Sequence, residues 1–207
     1  MRVATSARVV GLLLIGVCAP VSANEAARDA PRGWALVGPQ LQAYTVRLDA
    51  TQQHGGGYSA LLECSVRDLE SFGALQQFFR ADNLRGQRVR LRGYLRSRDL
   101  ELWAGLWMRV DGAEASQLAF DNMWQRPVRG NTEWSQYDIV LDVPEAAVQI
   151  AYGVTLAGSG RLWIDDISIE AVDKSVPTTD MGQAPIPGKM QVPNDLASVP
   201  QNTGFEE

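Results

Sequence analysis

Arg88-Val-Arg-Leu-Arg-Gly-Tyr-Leu-Arg96, followed shortly by Glu101-Leu-Trp-Ala-Gly-Leu-Trp-Met-Arg-Val110, alternates polar or aromatic residues with aliphatic ones through two runs. A period of two sends successive side chains to opposite faces of an extended chain, so each run reads as a half-buried β-strand. Val89, Leu91 and Leu95 in the first run, and Leu102, Ala104, Leu106, Met108 and Val110 in the second, form the sets that face a core. Tyr137-Asp-Ile-Val-Leu-Asp-Val143 and Val148-Gln-Ile-Ala-Tyr-Gly-Val-Thr-Leu156 repeat the pattern. Turn clusters stand between them: Gly55-Gly-Gly57, Asp82-Asn-Leu-Arg-Gly86, Arg129-Gly-Asn-Thr132 and Gly158-Ser-Gly160. Short strands punctuated in this way predict an all-β fold, a sandwich of antiparallel sheets. Leu75 to Arg80 reads as a further strand, although Leu69, Phe72 and Phe79 would also suit one face of a helix.

The flanks of this block differ from it in composition. Arg2 and Arg8 precede the 11-residue apolar run Val9 to Ala19, and Val21-Ser-Ala23 supplies small residues for cleavage. Residues 1–23 therefore read as a secretory signal peptide cut after Ala23. The run falls well short of the ~20 residues that span a bilayer, so no membrane span is expected after cleavage. A periplasmic or secreted protein is the expectation. Residues 24–33 form a lead-in and 34–172 the body. Residues 173–200, with Pro177, Pro185, Pro187, Pro193 and Pro200, read as an extended linker.

Charge and residue counts exclude several chemistries. The 207 residues carry 19 basic and 24 acidic side chains; losing Arg2 and Arg8 leaves 17 basic ones. An acidic chain lacks the basic footprint of a nucleic-acid binder. One histidine, His54, and two cysteines, Cys18 and Cys64, cannot assemble a Cys/His zinc cluster, and a Ser-His-Asp triad would have to use His54, which precedes three glycines in a turn. Cys64 ends the apolar stretch Ser59-Ala-Leu-Leu-Glu-Cys64 and reads as a buried, unreactive thiol. Serine nucleophile elbows, phosphate loops and His-Glu metal motifs do not occur.

Pro31-Arg-Gly-Trp34, His54-Gly-Gly-Gly-Tyr-Ser59, Arg88 to Leu95, Trp107-Met-Arg-Val-Asp-Gly112, Phe120-Asp-Asn-Met123, Gly130-Asn-Thr-Glu-Trp134 and Trp163-Ile-Asp-Asp-Ile167 follow one another in an order that resembles a group of bacterial exported galactose-binding-like jelly rolls. The resemblance covers about Trp34 to Val172, departs at Asn131 where threonine is expected, and implies a jelly-roll β-sandwich of two antiparallel sheets, the fold of many carbohydrate-binding modules. Such modules commonly begin with a strand like Asn-x-x-Phe-Glu before Gly-Trp. Here Gly33-Trp34 is in place, while Asn202-Thr-Gly-Phe-Glu206 stands at the other end. Residues 201–207 either return as a terminal strand that fills an open edge or fray. The resemblance also implies a structural calcium site from Asp165 or Asp166, Glu206 and the turn centred on Gly56. Calcium takes six to eight oxygens, and an ion-free hydrogen-bonded turn is the other reading. No cofactor is otherwise required.

The outward sets supply the ligand-binding expectation. Arg90, Arg92 and Tyr94 face out from the first run and Trp103, Trp107 and Arg109 from the second, on what the alternation treats as neighbouring strands. Gln149 and Thr155, with Ala151 and Gly153, would floor a groove beside them. Indole rings suit the C–H face of a pyranose and guanidinium groups its hydroxyls or carboxylates, so a glycan, acidic on the strength of the arginine excess, is the expected partner. The opposing reading has the indoles covered and the arginines paired with Glu101 and Asp111. Asp165 and Asp166 are adjacent in a strand, point to opposite faces and cannot flank one glycosidic bond. A non-catalytic glycan-binding module is thus expected, with docking to another envelope component as the alternative and a hydrolase a more distant one.

Overall fold

The computed structural model describes residues 30–113, 116–180 and 195–207. The signal-peptide segment 1–23, Cys18, most of the lead-in and Pro185, Pro187 and Pro193 lie outside the described residues.

Nine strands are formed among the described residues: β1 Ala35–Val37, β2 Tyr44–Asp49, β3 Ser59–Cys64, β4 Phe72–Arg80, β5 Arg88–Asp111, β6 Gln117–Asp121, β7 Val128–Asp142, β8 Gln149–Ala157 and β9 Gly160–Val172. All pairings between them are antiparallel. They form one hydrogen-bonded network, β1-β4-β8-β5-β9-β3-β2, with β6 and β7 also on β5. This network folds over on itself as a β-sandwich, and β5 belongs to both layers. Residues 88–98 of β5 pair with β9 and residues 103–111 with β8. One layer is therefore β2-β3-β9-β5-β7 and the other β1-β4-β8-β5-β6.

The two runs expected to be neighbouring strands are consecutive halves of this one 24-residue strand. Ser97-Arg98-Asp99-Leu100 contains no glycine or proline that could reverse the chain. It bends instead. Asp99 has a left-handed φ of 56°, and the pairing with β7 shifts register between Leu95 and Ser97, Ser97 and Leu100, and Leu100 and Ala104. The expected turn at Arg129–Thr132 lies inside β7, opposite this bend: Gly130 takes φ 61°, its carbonyl accepts from the Ser97 hydroxyl, and the Asn131 side-chain oxygen accepts from the Asp99 N–H. Such irregularities let one strand pass between layers.

The core fills the space between the layers. Val46, Leu62, Leu91, Leu95 and Ile164 from one meet Leu75, Phe79, Leu106, Met108, Tyr152 and Val154 from the other. Cys64 is buried, and burial pushes its thiol pKa up, which suits the unreactive role. The stretch that could have been a helix is β4, whose Leu75 and Phe79 join this core.

The C-terminal residues return to the sandwich as a turn; they do not form the terminal strand that was one reading. Phe205 is fully buried, its ring 5.0 Å from that of Trp34. The Trp34 indole N–H donates to the Asn202 carbonyl at 3.1 Å and the Ile167 N–H to the Thr203 carbonyl at 3.0 Å. Upstream, Ala197 makes an isolated parallel bridge with Phe79.

Candidate functional site

Bending β5 divides the expected ligand residues between two outer faces. Arg90, Arg92 and Tyr94 stand on the β2-β3-β9-β5-β7 layer. Trp103, Trp107, Arg109, Gln149 and Thr155 stand on the other.

On the first face, the outward stripe of β5 runs Arg88, Arg90, Arg92, Tyr94, Arg96 and Arg98. Its upper part is an ion-paired surface: Arg88 on Asp142 at 2.9 Å, Arg92 on Asp138 at 3.2 Å, and Arg90 on Glu170 at 3.4 Å. Arg90 and Arg92 thus have carboxylate partners on adjacent strands, although not the Glu101 and Asp111 foreseen. Tyr94 is half-buried and stacks on the His54 ring at 3.6 Å, with Trp134 edge-on to that ring at 5.9 Å.

The lower part of the stripe opens into a cleft of about 390 Å³ lined by Arg47, Asp49, Gln52, Glu63, Arg96, Arg98, Arg161 and Trp163, among others. Alternation on four strands, β2, β3, β9 and β5, brings these side chains to one face. Trp163 forms the floor, with the Arg96 and Arg161 guanidinium carbons 5.8 and 5.6 Å from its ring centre. Its indole N–H donates to Asp49 Oδ2 at 2.9 Å. Burial alone would raise the Asp49 pKa, but hydrogen bonds from Thr51 and Trp163 and the Arg47 charge outweigh it and hold the carboxyl below its ordinary value. Arg96 meets Gln52 and Glu133 through its terminal nitrogens, while its buried Nε–H has no acceptor. Four arginines line the cleft with the carboxylates of Asp49 and Glu63, and Arg47 pairs with Asp49, Arg96 and Arg98 with Glu133 and Arg161 with Asp99. Arg47, Arg96, Arg98, Arg161 and Trp163 were not among the expected ligand residues. The outward phase of the first run does continue through Arg96, but pairing with β9 and β3 is what adds Arg161, Trp163 and Arg47.

On the second face, Trp103, Trp107, Arg109, Gln149 and Thr155 do share a side with Ala151 and Gly153, as the alternation requires. They do not line an open groove. Trp107 is 6% exposed, Arg109 is 3% exposed, and Gln149 is buried too. Arg109 pairs with Asp111 at 2.7 Å, and the Gln149 amide donates to Asp111 at 3.0 Å. Trp103 is half-buried and packs edge-on against Trp124, itself 58% exposed, at the far end of the face.

Asp165, Asp166, Glu206 and the glycine turn come together. Asp165 is fully buried and accepts the His54, Gly55 and Asp166 backbone N–H groups at 2.8, 3.1 and 2.8 Å. Burial nevertheless keeps its pKa above the usual value. Asp166 lies 2.7 Å from His54 Nδ1, and Glu206 Oε1 accepts the Gly57 N–H at 2.9 Å. Gly56, at φ 63°, leaves room for Glu206 that a Cβ would occupy. Four of these carboxylate contacts are backbone N–H groups aimed at oxygens, the opposite polarity to a cation. Among the described residues no group of three or more His, Cys, Asp or Glu side chains is placed to hold a metal ion.

No known family profile matches the chain. A Bacillus subtilis (strain 168) protein named an uncharacterised HTH-type transcriptional regulator, YbfP, is 38% identical over 177 residues, covering 85% of this chain and 57% of that protein. The chain thus spans little more than half of this relative. The enzymatically active domain of tailspike protein 4 from bacteriophage CBA120 superposes with a TM-score of 0.54 at 14% identity, over 74% of this chain and 21% of its own. A structure described as a carbohydrate-binding module of the β-sandwich superfamily superposes at 0.50 with 14% identity, over 67% of this chain and 57% of its own. At these identities the two structures show a shared fold: the chain is a β-sandwich of the kind that carbohydrate-binding modules use.

Proposed function

We propose that the chain is an exported, non-catalytic module that binds an acidic glycan in the arginine cleft of the β2-β3-β9-β5-β7 layer. The observation that carries this reading is the cleft itself: Arg47, Arg96, Arg98 and Arg161 line it, Arg96 and Arg161 over the Trp163 ring, with one buried guanidinium N–H still lacking an acceptor. Planar guanidinium groups match carboxylates or phosphates bidentately. Tyr94 and His54 offer stacked rings roughly 7 Å further along the strand, within the reach of a disaccharide. The fold shared with a carbohydrate-binding module supports glycan binding. The order of charged, apolar and small residues in 1–23 supports export.

A glycan array carrying uronate, sulfated and neutral oligosaccharides tests the ligand, with calorimetry on the best hit. Arg96→Ala should weaken binding about ten-fold, the scale of one lost charge-assisted hydrogen bond. Retention of acidic glycans by an Arg96→Ala/Arg161→Ala double variant would remove the cleft from consideration. Intact mass of the envelope fraction should show a chain beginning at Asn24.

A second reading, docking to another envelope protein, is favoured by the apolar rim of the second face. Phe72 is 42% exposed and Trp124 58% exposed; the register Phe72-Ala157-Trp103 puts Phe72 in one row with Trp103, against which Trp124 packs. Loss of a pull-down partner on Trp124→Ser, with glycan binding intact, would identify it.

A further inference from the structure

Glu63 and Arg161 stand side by side on β3 and β9, in one row with Thr45 of β2 and Arg98 of β5. The neighbouring outward row holds Arg47, Leu61, Trp163 and Arg96, which build the arginine cleft. Two residues of strand, about 7 Å, separate the rows. Glu63 and Arg161 line the cleft on one side and a second cavity of about 450 Å³ on the other. This second cavity lies at the end of the layer, where β5 bends at Asp99. The two cavities thus adjoin across a single row of side chains and form one groove.

The two parts of the groove differ in charge. Arginines outnumber carboxylates in the cleft, whereas Glu63, Asp99 and Glu101 outnumber Arg67 and Arg161 in the second cavity. Arg161 is taken up by Asp99 at 2.9 Å, and Glu101 accepts from the Ser159 hydroxyl at 2.7 Å and from the Asp68 N–H. The Ser159 hydrogen bond, above all, holds the Glu101 carboxyl below its usual range, so it is ionised at neutral pH. Glu63 is left out of these pairings. Among the described residues, Arg47 pairs with Asp49, Arg96 and Arg98 with Glu133, and Arg161 with Asp99. The half-buried Glu63 carboxylate therefore stands, without an ion-pair partner among them, where a chain must cross from one cavity to the other.

We propose that Glu63 is the specificity-determining residue of this groove, selecting a glycan whose carboxylates fall on alternate sugar units over one charged at every unit. The inference rests on the acidic-glycan reading of the cleft and names the class of acidic glycan it takes. A uronate in the arginine cleft places the adjoining unit in the second cavity. An uncharged unit is matched there, because its hydroxyls donate to Glu63 and accept from Arg67. A second uronate instead meets Glu63, Asp99 and Glu101 with too few free cations to neutralise it. Unpaired like charges set against the wrong ligand give specificity by exclusion.

Two probes differ in this respect: a hyaluronan hexasaccharide, in which uronate alternates with an uncharged N-acetylhexosamine, and hexagalacturonate, which is charged at every unit. In calorimetry the wild-type chain should bind the hyaluronan hexasaccharide about ten-fold or more tighter than hexagalacturonate. Glu63→Gln keeps the shape of the side chain and removes its charge, so it should cut that ratio at least about three-fold by strengthening hexagalacturonate. In the wild type, the Ser159 and Gly160 amide resonances should shift when the hyaluronan hexasaccharide binds, a readout of the second cavity that needs no variant to fold. Equal affinities for the two probes, an unchanged ratio in Glu63→Gln, or Ser159 and Gly160 amides unmoved by the bound sugar would each overturn the proposal and leave the cleft reading, which Arg96→Ala reports, in place. Binding of neither probe would overturn it as well, and the glycan array then decides the acidic-glycan reading separately.

Discussion

Asp49 fixes the floor of the arginine cleft. Its carboxylate accepts from the Trp163 indole and from Thr51, so Asp49→Ala would leave a buried N–H unpaired and should cost about 1–3 kcal/mol in urea denaturation. The same pairing gives the pH dependence its sign. The folded-state pKa of Asp49 lies below the ordinary value, so its contribution is present at neutral pH and is lost as pH falls through that lowered value. Asp165 acts oppositely: burial raises its pKa, so its ionised form costs stability at neutral pH and that cost is relieved as pH falls through the raised value. Stability measured downward from pH 7 should therefore hold or gain first and fall only below about pH 4, and Asp49→Asn should flatten the fall. Trp107 belongs to a buried cluster, so Trp107→Ala should lower stability by about 3–5 kcal/mol, a loss that thermal denaturation would show directly. An unchanged melting temperature would place the ring back on an open surface.

Among the elements, the C-terminal turn has an energetic role out of proportion to its length. Phe205 packs on Trp34 between the ends of the layers, and residues 202 and 203 supply acceptors to Trp34 and Ile167. Deleting residues 201–207 should cost about 3–5 kcal/mol, the scale of losing a buried phenylalanine, and lower the melting temperature accordingly. A deletion without effect would show that Trp34 is covered by other means. The turn also brings Glu206 to the Gly57 N–H, beside Asp165 and Asp166. Since backbone N–H groups already satisfy these oxygens, chelation with EDTA should leave the melting temperature of the intact chain unchanged. A chelator-sensitive shift would mean that the turn inverts its peptides to coordinate a cation, stabilising the fold by mass action.

For the molecule as a whole, the balance of charge decides how a ligand arrives. The formal charge, −5 for the full chain and −7 once Arg2 and Arg8 are lost (17 basic against 24 acidic), repels an acidic glycan at long range, whereas the cleft attracts it once it is within a Debye length. Raising salt therefore screens both effects, but the contact interaction between guanidinium and carboxylate dominates the equilibrium. Affinity for an acidic glycan should fall several-fold between about 50 and 500 mM salt. Calorimetry at two salt concentrations checks this without any substitution.

Alternation in 88–96, 101–110, 137–143 and 148–156 is enough to assign strands, an all-β sandwich and most of the buried sets, because a period of two is a property of the local chain; Leu102, expected in the core, is instead 41% exposed at the end of its run. The encounter of Asp165, Asp166, Glu206 and the Gly55–Gly57 turn was legible as well, though only through a family resemblance. What the residues 88–110 could not declare is that they form one bent strand: a bend at Asp99 and a reversal there leave the same alternation on either side, and the difference lies in which strands pair with each half. That choice separates Tyr94 from Trp107 and sends one to an open face and the other beneath Leu196. The arginine cleft likewise exists only because β2, β3, β9 and β5 align Arg47, Glu63, Arg161, Trp163 and Arg96 side by side. Side-chain phase is written locally, but exposure depends on what the rest of the chain lays over a face, and only the tertiary structure decides that.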